Sequence, residues 1–176
     1  MRTRLSIVAL ATAVTLTAIG CGSDINSSPS VTATTAVAAP TAAPTPAAPH
    51  DAKTVLAALT AAKVGLSGGA VQSEDTDPND LLGRPNGYLS RASADMPGGD
   101  RDGDKYGIER GLVIEVFPTA ADADRRSKFI QDTLKSMQIL GTEYHYRAGG
   151  GAVLVRVSGK VKPSVAKKVQ AAVATL

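Results

Sequence analysis

Between Gly22 and Pro49 the chain is built almost wholly from Ser, Thr, Ala and Pro, and that confines everything else. Pro29, Pro40, Pro44, Pro46 and Pro49 interrupt any helix. Apart from Ile25, Val31 and Val37 the stretch holds no large apolar side chain. Such a segment cannot bury enough surface to offset the entropy of ordering. It reads as a disordered tether over 21–50, spanning about 30 Å as a flexible coil and up to about 85 Å as polyproline II. His50, at its end, reads as a linker residue and not a ligand. Any folded core must lie in 51–176, a length suited to one domain.

The first twenty residues read as an export signal. Arg2 and Arg4 form a basic head, and Leu5 to Ile19 is apolar or small. The run is short for a transmembrane helix, which needs about 20 apolar residues. It ends in Thr17-Ala18-Ile19-Gly20-Cys21. That stretch resembles the lipobox of bacterial lipoproteins, although Ala18 stands where the family usually has Leu. The resemblance implies cleavage before Cys21, a lipid on its thiol and a protein held at the outer face of the cell membrane. Cys21 is the only cysteine, so an intramolecular disulfide is excluded and acylation accounts for an otherwise unexplained thiol.

Nineteen Lys and Arg oppose sixteen Asp and Glu. Loss of Arg2 and Arg4 with the signal leaves seventeen against sixteen, which gives no electrostatic reason to expect nucleic acid as a partner. With no Trp, four Tyr and two Phe, a base-stacking surface is poorly supplied as well.

Within 51–176 the patterns alternate. Asp51 is an N-cap for a helix carrying Val55, Leu56, Leu59 and Ala62, stopped by Gly65. Val71 starts a short extended segment. In Asp77-Pro78-Asn79-Asp80-Leu81-Leu82-Gly83, Asp77 caps a single turn with both leucines inward, and Asn86-Gly87 turns into a strand over Tyr88–Ala94. Leu112–Phe117 is a second strand, its Leu112, Ile114 and Val116 on one face and Val113, Glu115 and Phe117 on the other. Pro118-Thr119 opens a helix with Thr119 and Asp122 as a capping box. Its apolar stripe is Ala123, Ile130, Leu134 and Met137, and Arg125, Arg126, Lys128 and Lys135 fall mostly toward solvent. Strands at 142–147 and 152–158 flank Gly149-Gly150-Gly151, and a last helix begins near Pro163. The order αββαββα predicts an α+β domain with one four-stranded antiparallel sheet packed by helices. One sheet face is expected to stay open to a partner.

Three places carry candidate chemistry. Asp100, Asp102 and Asp104 stand at alternate positions, with Glu109 nearby, so their carboxylates can converge on a hard cation such as calcium. The segment resembles the calcium loop of the Excalibur domain of bacterial surface proteins. It departs from an EF-hand at Lys105, where that loop needs Gly, and at Gly111, where it needs a bidentate Glu; the Excalibur cysteines are absent. A solvated acidic turn is the competing reading. Glu143, His145 and Arg147 form a row able to move protons, or else a cross-strand ladder on the solvent face. No G-x-S-x-G or H-E-x-x-H accompanies them. Arg84 either binds an anion or pins its loop to Asp77 or Asp80.

The stretches 77–93 and 100–109, with Gly141-Thr142-Glu143-Tyr144-His145-Tyr146 and Val155-Arg156-Val157-Ser158-Gly159-Lys160-Val161-Lys162-Pro163, resemble a group of uncharacterised actinobacterial lipoproteins. That resemblance implies location and domain extent and supplies no catalytic residues. The expected role is a non-catalytic surface lipoprotein that binds an envelope protein or a cell-wall component. The alternative is a calcium-dependent or enzymatic module using Asp100–Asp104 or His145.

Overall fold

The computed structural model describes residues 50–176. The signal, Cys21 and the tether lie outside the described residues, save His50, which is half-buried with its imidazole against Gly149. Among the described residues no helix is long and apolar enough to cross a membrane.

Helix α1 (Ala52–Ala61) starts where the Asp51 carboxylate accepts the Lys53 amide at 2.5 Å. It buries Ala52, Val55 and Leu59. Five strands follow: β1 (Ser67–Val71), β2 (Ser90–Asp95), β3 (Gly111–Val116), β4 (Glu143–Ala148) and β5 (Val153–Ser158). Helix α2 (Ala120–Ser136) joins β3 to β4, and α3 (Pro163–Val173) closes the chain. All pairings are antiparallel and the spatial order is β1-β2-β3-β5-β4. Since β5 runs against both β3 and β4, those two are parallel, and β3-α2-β4 is a crossover unit split by β5.

The expected β2–β3 and β4–β5 pairs form, but among the described residues the sheet has five strands, not four. The extra one, Ser67-Gly68-Gly69-Ala70-Val71, shows no apolar alternation and is mostly exposed. What makes it a strand is proximity. Gly69 lies so close to α1 that a Cβ there would sit 3.3 Å from the Leu56 side chain. The register with β2 breaks between Ser67 and Ala70, where Gly68 takes φ +59°, a bulge conformation suited to glycine.

Alternation assigns the two faces of the sheet. Ala92, Leu112, Ile114, Val116, Val153, Val155 and Val157 meet α1 and α3 in the main apolar core. Arg91, Ser93, Val113, Glu115, Leu154 and Arg156 point the other way. The expectation of an open face is corrected here, because α2 and the 77–89 loop cover that side. A second apolar cluster of Tyr88, Phe117, Ala123 and Leu154 seals it, with Leu81 and Leu82 packed against it. Tyr88 precedes β2 and stands edge-on to Phe117 at 5.9 Å.

Candidate functional site

A buried polar layer lies between the sheet and α2. Its members are single charges set into apolar strands: Glu115 within Leu112-Val113-Ile114-Glu115-Val116, and Arg156 within Val153-Leu154-Val155-Arg156-Val157. Glu115 pairs across the sheet with Leu154, and Arg156 pairs with Val113 on one side and His145 on the other. Arg156 is thus a diagonal neighbour of Glu115, within reach of a long side chain. Its Nη1 donates to Glu115 Oε1 at 3.0 Å; its Nε and Nη2 each donate to the Glu143 carboxylate at 2.8 Å. Arg126 of α2 reaches down to Glu115 at 3.4 Å.

Next to this pair runs a second chain. Ser127 Oγ and His145 Nδ1 are 2.7 Å apart, and His145 Nε2 lies 3.0 Å from Glu143 Oε2. With the proton on Nε2, His145 donates to Glu143 and accepts from the Ser127 hydroxyl. The side chains of His145 and Glu143 are 8% and 7% exposed, so this row is covered by α2 and is not a ladder on the solvent face. Burial alone would push the Glu143 carboxyl up; the hydrogen bonds from Arg156 and His145 outweigh it and hold the group down at about 2. Burial likewise opposes the charge on Arg156, but its two carboxylate partners raise its affinity for the proton.

At the far end of the layer Arg91 is almost wholly enclosed. It donates from Nη1 to Gln72 Oε1 at 2.9 Å and from Nη2 to the Tyr106 carbonyl at 2.8 Å. Its Nε lies 3.5 Å from Asp77 without a hydrogen-bond partner. Burial lowers the proton affinity of Arg91, against the pull of Tyr88, Glu115 and Asp77. Asp77 caps its loop as expected, accepting the amides of Asn79, Leu81 and Leu82. It also receives the Tyr88 hydroxyl at 2.6 Å. Burial raises Asp77, but these donors together bring it below the ordinary range. The same burial and the Asp77 charge push Tyr88 up. Arg84 takes Asp80, not Asp77, at 2.5 Å on the surface.

The acidic loop is placed elsewhere. Asp100 accepts the Asp102 amide and Lys160 Nζ, the latter at 2.7 Å; Lys160 holds its carboxyl below the usual range. Arg110 clamps Asp95 with two bonds of 2.8 Å and reaches back to the carbonyls of Arg101 and Gly103. Among the described residues, no group of three or more His, Cys, Asp or Glu side chains is gathered to hold a metal ion.

What the buried layer can do chemically is limited by its surroundings. Ser127, His145 and Glu143 stand in the order nucleophile, base, acid. Ser127, however, sits inside α2, whose amides are committed to the helix, so its own backbone offers no oxyanion donor. A surface cleft of about 230 Å³ reaches Glu143, Ser158 and Lys160, but neither Ser127 nor His145 lines it. Arg147 leaves the row to pair with Asp124 of α2. The sequence reading missed Ser127, Glu115, Arg156 and Arg91 as one assembly. The available signal was opposite charges at inward positions of two apolar strands. No family model matches the chain, no curated protein matches it, and no solved structure matches it.

Proposed function

We propose that the chain is an envelope lipoprotein, anchored through Cys21, whose domain over 51–176 serves as a non-catalytic binding module for an envelope protein or cell-wall component. The observation that carries the reading is the sequence: an export-like segment runs into Gly20-Cys21, and that cysteine is the only one. Buried charges that satisfy one another inside the fold support a structural role for the polar layer. Replacing Cys21→Ser is expected to abolish palmitate incorporation and release the protein from membranes; unchanged labelling sinks the anchor. Crosslinking in intact cells, followed by identification of the captured species, tests the binding role.

A second reading, hydrolysis, is favoured by the unbroken Ser127–His145–Glu143 chain. A fluorophosphonate that labels the native protein but not Ser127→Ala would establish it. The calcium reading of Asp100, Asp102 and Asp104 predicts heat on calorimetric titration with calcium, and it is withdrawn if none evolves.

A further inference from the structure

The sheet ends in two unlike edges. At β1 the bulge leaves only Ala70 and Val71 in regular register before the strand ends, one of the ways proteins blunt an edge. β4 has no bulge, and the charges it carries, Glu143 and Arg147, are each paired with an opposite charge within the fold. Its six residues pair with β5 without a break, it carries neither Pro nor Lys, and no strand lies beyond it among the described residues.

Backbone direction along β4 follows from its hydrogen bonds. The Gly159 amide donates to the Thr142 carbonyl at 2.7 Å, so Thr142 faces β5. Direction alternates in an antiparallel pair, so Tyr144 and Tyr146 also face β5, while the amides and carbonyls of Glu143, His145 and Arg147 face outward. The Gln131 side chain donates to the outward Glu143 carbonyl at 3.2 Å, as this parity requires, and leaves that oxygen a second lone pair.

We propose that β4 pairs with β4 of a second copy of this chain, about a two-fold axis at His145, to make one continuous ten-stranded sheet. An antiparallel partner must place outward residues opposite outward residues. Centring on His145 pairs Glu143 through Arg147, five of the six residues of the strand. It sets Glu143 opposite Arg147 twice, Tyr144 opposite Tyr146 twice, and His145 opposite itself. Opposite charges and aromatic pairs facing each other stabilise such a ladder, and the strand is self-complementary, as an isologous contact demands. Arg147 is held by Asp124 and by the Gly151 carbonyl, and because Asp124 is 74% exposed, that ion pair is one the arginine can share with a second carboxylate.

The register is testable in cells that make the full chain. Tyr144 and Tyr146 of opposite copies form a non-hydrogen-bonded pair, with Cα atoms about 4.5 Å apart, inside disulfide range. Tyr144 lies diagonal to its own copy, about 7–8 Å away. Co-expression of Tyr144→Cys and Tyr146→Cys chains, followed by oxidation of intact cells, is expected to give a disulfide dimer that neither variant gives alone. Adding Arg147→Glu to both chains sets like charges opposite each other and is expected to cut the yield about tenfold. The unsubstituted full chain in mild detergent should sediment as a dimer. A monomer at every concentration, equal crosslinking in the single and mixed populations, or a yield indifferent to Arg147→Glu each overturns the proposal.

Discussion

Arg156 holds Glu143 with both arms of its guanidinium, Nε to Oε2 and Nη2 to Oε1, each at 2.8 Å. The third arm holds Glu115 at 3.0 Å. One arginine on β5 therefore bonds a carboxylate on each neighbouring strand, in a layer covered by α2. Removing it would leave buried Glu115 with only Arg126 at 3.4 Å and buried Glu143 with only His145 at 3.0 Å. Arg156→Ala is expected to destabilise the domain by about 3–5 kcal/mol, measured as a lower urea midpoint with an unchanged m-value. Arg84→Ala, which breaks only a surface pair with Asp80, should shift it by less than about 1 kcal/mol.

Acid should unfold the protein partly through Glu143. Its ordinary value of 4.5 falls to about 2 in the fold, so the unfolded chain binds the proton more readily. The stabilisation is fully present above about pH 4.5 and is lost as pH falls from there toward 2. The shift corresponds to about 3 kcal/mol across that window. Glu143→Gln should lower stability at pH 7 and flatten the acid limb of a stability–pH curve between those values. A limb of unchanged slope would assign acid sensitivity to other carboxylates.

The loop that covers the far end of the layer depends on Tyr88. Its hydroxyl donates to Asp77, which also faces Arg91. Tyr88→Phe keeps the edge-on contact with Phe117 but removes that donor. A loss of about 1–3 kcal/mol is expected, with faster amide exchange at Leu81 and Leu82, whose amides Asp77 accepts.

Gly87 is required for steric reasons. A Cβ there would overlap the carbonyl oxygen of Leu81 and crowd that of Arg84. Both are backbone atoms that no rotamer change can move. Gly87→Ala should expose the Tyr88 and Phe117 cluster, read as dye binding or protease cleavage within 77–89, whereas Gly141→Ala meets no atom within 4 Å. Because Gly141 has φ +86°, that second change carries only local backbone strain.

Much of this architecture was legible because periodicity reports burial. The alternation through Leu112–Val116 and the stripes of the three helices placed most elements and the apolar core. β1 escaped because Ser67-Gly68-Gly69 owes its strand conformation to contact with α1 and β2, not to its own residues. The open face was misjudged for a related reason. Arg91, Glu115 and Arg156 stand on strands in the sequence, but their partners of opposite sign lie on other strands. Arg126 read as a solvent-side residue of α2, but in the fold it points at Glu115. Pairing over 41 residues, as between Glu115 and Arg156, leaves no local trace. Ser127 could not be tied to His145 without knowing that α2 crosses over β4.

The insertion of β5 between β3 and β4 has a temporal consequence. A chain delivered amino-terminus first presents β3 long before, and β4 just before, the strand that must lie between them. Until Val153–Ser158 arrives, β3 and β4 have no common neighbour, and the carboxylates of Glu115 and Glu143 await their shared cation. The domain is therefore committed to a late, concerted closure that waits on β5.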